Sequence, residues 1–226
     1  MSSIRDNLKK HPKALNAALA FRQLVSRSLD RKKIDKYVDM TIAPLEEAPA
    51  DDAATALFLR AIMAGDHKSV IEIGSYDGAR IITLKKTLPH IEAFGLDILA
   101  NYQDLSERSG VSFDLYSEAF FDRDFDRPLM ISRGTMSYYD PDELNRLFDA
   151  LARRRISVAF YEPRPFFHVE RSTVRYRKQN RIARYHPYDD MLEARGYTLS
   201  VDKRVTYNWA RSLYGLECLR FQYATP

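Results

Sequence analysis

Cysteine occurs once in this 226-residue chain, at Cys218, which excludes an internal disulfide, a cysteine-built zinc site and any iron–sulfur cluster needing several thiolates. A reducing compartment suits such a chain. No apolar run approaches the length that crosses a bilayer, and the N-terminus lacks the long apolar stretch of a secretory signal, so the expectation is a soluble, cytoplasmic protein with no membrane partner. A large excess of one charge is missing too. Lys and Arg number 35 against 31 Asp and Glu, and a net charge of +4 does not by itself imply nucleic acid.

The bases are unevenly spread. They crowd the first 36 residues and residues 171–184, either as solvated faces or as surfaces for an anionic partner. The length fits one globular domain with added elements, divided here into an N-terminal helical extension over residues 1–50 and a main domain over 51–226 that carries an inserted basic segment at 164–187.

Apolar residues at three- and four-residue intervals predict a helix over 13–29, and Asp51 or Asp52 caps a second over 53–64, stopped by Gly65. Strands are then expected at 70–74, 91–98, 111–115, 129–131 and 156–161, with helices over 79–88, 101–108 and from Pro141 to about Ala152 between them. The last of these has the clearest start, because Asp140-Pro141-Asp142-Glu143 supplies a cap, a proline at the first helical position and an acid at the third. After the insertion come a helix over 188–195 and two closing strands, 197–201 and 216–223, spaced to pair antiparallel. The alternation predicts a Rossmann-like α/β fold, an open and mainly parallel sheet with helices on both faces.

Ser69-Val-Ile-Glu-Ile-Gly-Ser-Tyr-Asp-Gly-Ala-Arg80 carries the chemistry. Its β-branched residues suit a strand buried on both faces, and Gly74 and Gly78 allow a tight turn into the next helix, whose free N–H groups point back toward it. Asp97 ends the following strand, where a carboxylate can accept both hydroxyl hydrogens of a ribose. A pyrophosphate fits less well. The bulky Tyr76 stands where a Gly-x-Gly-x-x-Gly loop has its middle glycine, and Glu72 repels phosphate but suits a positively charged ligand such as S-adenosylmethionine, which has an ammonium, a sulfonium and no phosphate.

With these features residues 51–223 resemble the class I S-adenosylmethionine-dependent methyltransferases. Glu72-Ile73-Gly74-Ser75-Tyr76-Asp77-Gly78 is similar to that family's first motif, with Tyr76 in place of the common middle glycine. The resemblance implies a seven-stranded sheet closed by an antiparallel strand and S-adenosyl-L-methionine as cofactor. It assigns Gly74, Ser75, Tyr76 and Gly78 to the turn, Glu72 to the ammonium side through backbone or water, and Asp97 with Ile98 to the ribose end. Ser117 or Glu118 falls at the adenine, and Ser132, Arg133 and Gly134 line the methionine part.

The acceptor is less defined. The fourth-strand segment 131–139 lacks the Asn/Asp-Pro-Pro-Tyr sequence that holds amide or exocyclic amino nitrogens, and no acid cluster for a catechol-type magnesium enzyme is present. Metal-independent O-methylation of a small-molecule or sugar-containing acceptor, with an anionic one among the candidates, is therefore the leading expectation. Candidate bases are His168 and His186, with Glu162 a third; Tyr138, Arg175 and Arg177 are candidate acceptor contacts. The basic insertion reads either as an exposed helix or, together with the N-terminal helices of residues 1–50, as a lid over the acceptor. Rival readings are an RNA-directed methyltransferase, a catalytically idle binding module of the same fold and, more distantly, a nicotinamide oxidoreductase.

Overall fold

The computed structural model describes residues 53–98, 106, 109–165, 170–178, 181–205 and 217–226. The extension 1–50 with its expected helix over 13–29, all of the expected helix 101–108 but Ser106, and His168 lie outside the described residues. In chain order the elements are α1 (Ala53–Ala64), β1 (Ser69–Ile73), α2 (Ala79–Thr87), β2 (Glu92–Asp97), β3 (Ser112–Leu115), β4 (Pro128–Arg133), α3 (Pro141–Arg153) and β5 (Ser157–Pro165). They continue with β6 (Thr173–Lys178), β7 (Arg181–Tyr185), α4 (Tyr188–Glu193), β8 (Thr198–Val205) and β9 (Glu217–Thr225).

Seven strands form one sheet in the order β3-β2-β1-β4-β5-β9-β8. The first five run parallel, and β9 is antiparallel to both of its neighbours. Successive side chains of a strand point to opposite faces, and that alternation divides the core in two. Ile71, Ile73, Met130, Val158 and Phe160 meet α3 and α4 on one face, whereas Val70, Leu129, Ile131, Ala159 and Tyr161 meet α1 and α2 on the other. Each fully buried side chain of Leu or Phe size contributes about 1.5–3 kcal/mol, so the two layers hold the sheet rigid.

Helix α3 starts as its sequence predicts, with the Asp140 N–H donating to Glu143 Oε2 at 2.9 Å and Pro141 in the first turn. Strand β5 runs longer than expected. The sequence pattern ends it at Tyr161, before Pro163 and Pro165, but β4 pairs with β5 only as far as Tyr161 and the remainder pairs with β9 alone. A proline is tolerated where one side of the strand needs no donor.

Of the two readings of the insertion, the exposed basic helix is not found among its described residues. Instead β6 and β7 pair antiparallel as a separate two-stranded hairpin, with Thr173 opposite Tyr185 and Lys178 opposite Arg181. Thr, Val, Tyr and Ile give this stretch its strand propensity, and only residues 179 and 180 separate the strands, as a tight hairpin requires.

Candidate functional site

In the strand order β1 lies between β2 and β4, so the chain leaves it first to one side and later to the other; open α/β sheets bind ligands outside the carboxyl ends at such a reversal. The turn after β1 is built there. Gly74, Tyr76 and Gly78 all have positive φ, at 72°, 50° and 73°. A Cβ on Gly74 would lie 2.0 Å from Thr135 Oγ1, and one on Gly78 would lie 2.4 Å from Cζ of Phe113, so the loop after β4 closes on the first glycine and β3 on the second.

Five amides of the turn are bonded within the protein. Gly74 and Ser75 N–H donate to the Leu96 carbonyl at 2.8 and 3.1 Å, Tyr76 N–H donates to Asp97 Oδ2 at 2.9 Å, and Gly78 N–H donates to the Ser75 carbonyl at 2.7 Å. Even the first amide of α2, on Ala79, reaches Asp77 Oδ1 at 3.3 Å. These donors are engaged with protein acceptors, so the turn is no phosphate cradle. It grips the ends of β1 and β2 together, with half-buried Asp97 at the junction.

Beneath the turn Glu72, 1% exposed, forms an ion pair with Arg80 of α2. Burial raises the Glu72 carboxyl above the usual range, and the Arg80 guanidinium opposes that shift. The pairing revises the electrostatic expectation, because Arg80 neutralises the acid that the sequence offered as a counter-charge for a cationic ligand. Ser75 is likewise buried, with its Oγ toward Gly95.

The other carboxyl ends complete a rim. Six large apolar side chains are exposed among the described residues, and four of them follow or end β1, β2, β3 and β4: Tyr76 (48%), Ile98 (77%), Leu115 and Tyr138. The two outside this edge are Met63 and Val174. Ser117 is exposed, and Glu118 holds Arg146 at 3.0 Å. Tyr116 stacks edge-on against Tyr139 at 5.7 Å, and burial pushes both phenols upward, so both stay protonated near neutral pH.

At the end of β4, Ser132 is buried while Arg133 and the following Gly134 are half-buried, and Gly134 N–H donates to the Tyr161 carbonyl at 3.1 Å. The fully buried Glu162 organises this segment. Its Oε1 accepts from Ser132 Oγ at 3.1 Å and from the Met136 N–H at 3.2 Å, tying β5 to the end of β4 and to the segment that follows it.

His186 has no exposed surface, and its Nδ1 lies 2.8 Å from Ser172 Oγ. Burial, with Arg184 and Arg164 nearby, lowers its pKa to about 4, so the ring is neutral near pH 7. Arg175 and Arg177 occupy β6. The turn, Asp97, Ile98 and Tyr138 all lie at this one edge, whereas the Leu115 rim position, Thr135 and Phe113 against the glycines, and the Glu162 clamp went unread in the sequence. Only the spacing of Gly95 and Phe113 in paired strands could have signalled one of them, since they lie opposite each other in the register.

No three His, Cys, Asp or Glu side chains among the described residues are grouped to hold a metal ion, and no described helix is long and apolar enough to cross a membrane.

The architecture is that of the class I S-adenosylmethionine-dependent methyltransferases, and solved structures of that fold superpose on the chain. The Burkholderia thailandensis 1,6-didemethyltoxoflavin-N1-methyltransferase, with bound 1,6-didemethyltoxoflavin and S-adenosylhomocysteine, matches with a TM-score of 0.60 at 16% identity, covering 92% of this chain and 88% of its own. The magnesium protoporphyrin IX methyltransferase of Synechocystis, with bound S-adenosylhomocysteine, matches with a TM-score of 0.56 at 11% identity, covering 90% and 99%. An O-methyltransferase from a polyketide synthase multienzyme of Brevibacillus brevis, also with S-adenosylhomocysteine, gives 0.55 at 12%, covering 75% and 70%. No family model matches the sequence, and no curated protein does.

Proposed function

We propose that the chain is an S-adenosylmethionine-dependent methyltransferase that methylates a hydroxyl of a small or sugar-containing acceptor without a metal. The observation that carries the cofactor is the turn after β1 joined to Asp97. Its amides are engaged within the protein, which disfavours a phosphate-bearing dinucleotide, while a carboxylate at the end of β2 and the apolar Ile98 and Leu115 beside it suit the ribose and adenine of a phosphate-free nucleoside. The residues present therefore fit this cofactor. Similar folds with bound S-adenosylhomocysteine lend it further support.

Bound here, S-adenosylmethionine would supply a methyl group on a sulfonium. Gly74, Ser75, Tyr76 and Gly78 shape its seat, Asp97 and Ile98 hold the ribose end, Ser117 or Glu118 the adenine, and Ser132, Arg133 and Gly134 the methionine part. Glu72 acts from below, by fixing α2 through Arg80. Tyr138 and the hairpin arginines Arg175 and Arg177 orient the acceptor. Holding the acceptor oxygen in line with the methyl carbon is the main source of rate, worth about 7 kcal/mol or more at best.

The acceptor hydroxyl must lose its proton, and His168 or His186 takes it. Because His186 is fully buried against Ser172, a proton reaches its Nδ1 through the Ser172 hydroxyl. The protonated ether formed on transfer is a strong acid, so a weakly basic imidazole suffices.

Titration calorimetry with S-adenosylhomocysteine tests the cofactor half. The parent should bind, and Asp97→Ala should weaken binding at least about tenfold through loss of charge-assisted hydrogen bonds. No heat from either S-adenosylmethionine or S-adenosylhomocysteine with the parent contradicts the reading. An acceptor screen that follows S-adenosylhomocysteine release, run beside His186→Gln, tests the remainder.

A further inference from the structure

We propose that the β6–β7 hairpin is an anion-binding arm, and that the small acceptor it serves carries a phosphate or carboxylate group. The assignment of that anion as acceptor rests on the methyltransferase reading; the binding of an anion by the arm does not.

The hairpin stands apart from the seven-stranded sheet, yet its root is fixed to the carboxyl edge. Arg184 Nη2 lies 2.5 Å from Asp140 Oδ1, and Arg184 Nη1 donates to the Tyr139 carbonyl at 3.3 Å. Ser172 meets His186, and Ala183 and Tyr185 are buried. The root of the arm is therefore anchored on the segment after β4 that also presents Tyr138 on the rim.

Its charges divide into two groups. Arg164 is buried, with Nη2 3.5 Å from Asp189 and its guanidinium 5.3 Å from the Tyr188 ring centroid, so it belongs with Arg184 to the internal framework. The rest of the arm carries Arg171, Arg175, Arg177, Lys178 and Arg181, and residues 171–185 contain no acid. Strand register sets Lys178 directly opposite Arg181. Like charges at paired register positions destabilise a strand pair, and a bound oxyanion would relieve that repulsion. Arginine forks and a lysine ammonium suit phosphate or carboxylate oxygens.

A small anion fits better than a nucleic acid. Strands of six and five residues reach only about 20 Å, and the run of bases in the sequence does not continue into α4, while Arg164 of β5 is buried.

The test is calorimetry at low salt, with S-adenosylhomocysteine present, using inorganic pyrophosphate as the phosphate probe and tricarballylate as the carboxylate probe. The parent should bind at least one saturably, and the stronger probe identifies the group. Lys178→Glu should weaken that binding at least about tenfold, while raising the melting temperature of the unliganded protein by about 1–3 °C as a repulsive cross-strand pair becomes attractive. A purely structural role for Lys178 would not produce both shifts.

Absence of saturable binding to both probes, unchanged binding in Lys178→Glu, or a lowered melting temperature overturns the proposal. So does a short single-stranded RNA that binds more tightly than either probe with a steep salt dependence, since the arm would then serve nucleic acid. Pyrophosphate binding by a protein that ignores S-adenosylhomocysteine supports the arm and removes the methyltransferase reading alone.

Discussion

Two segments at the same edge of the sheet are built on opposite plans. The amides of the turn after β1 donate to Ser75 and Asp77 within it and to Leu96 and Asp97 of the adjoining β2. The later half of β5 and the segment after it are joined to distant pieces. Arg184 reaches Asp140, Ser172 meets His186, Glu162 holds Ser132 and Met136, and Asp189 gathers Arg164 and Arg220. A site for an invariant ligand can be written into one strand-turn-helix, whereas a surface for a variable acceptor is put together from loops that a rigid sheet brings together.

If the turn is the stiffer of the two, breaking its foundation should have the largest effect. Arg80→Ala leaves the buried Glu72 without its cation and should cost about 3–5 kcal/mol in urea unfolding; Glu72→Gln added to it should recover much of that loss. A cost below about 1 kcal/mol would mean that the ion pair does not support the turn.

Next come two glycines of similar φ in different surroundings. Gly74→Ala meets both the left-handed backbone and the Thr135 side chain, and should cost about 2–4 kcal/mol. Gly134, at φ 69°, has open space where a Cβ would sit, with no neighbouring atom within 4 Å, so Gly134→Ala should cost only about 1 kcal/mol. Equal losses would show that conformation alone, without the closing of neighbouring loops, accounts for the turn.

The root of the arm should show in the pH dependence. Folded His186 takes up its proton only near pH 4, whereas an unfolded histidine does so near 6.5. The unfolded chain therefore binds more protons in that window, so the contribution is complete above about pH 6.5 and is lost as pH falls toward 4. Between about pH 7 and 4.5 the loss should be about 2 kcal/mol, and His186→Gln should flatten that part of the melting-temperature profile. An unchanged slope in the variant would place the acid sensitivity elsewhere.

The same contrast explains what the sequence made legible. Val70, Ile71 and Ile73 announce a strand buried on both faces, Gly74 and Gly78 its turn, and Asp140-Pro141 the start of α3, because each signal lies within a few residues of the structure it dictates. Glu72 was legible as an acid but not as the partner of Arg80, eight residues on in the first turn of α2. The hairpin was hidden because bases at close intervals obscure the strand alternation of 173–185. Prolines 163 and 165 concealed the second half of β5, since nothing local reveals that β4 has already ended beside it. Glu162, Ser132 and Met136 meet only once β4 and β5 are paired.

The most direct test of the central claim is a crystal structure grown with excess S-adenosylhomocysteine. The account predicts its ribose hydroxyls on the Asp97 carboxylate, its purine beside Ile98 and its sulfur above Gly74. An empty turn in the presence of saturating ligand, or one that prefers the pyrophosphate of a dinucleotide, would contradict it.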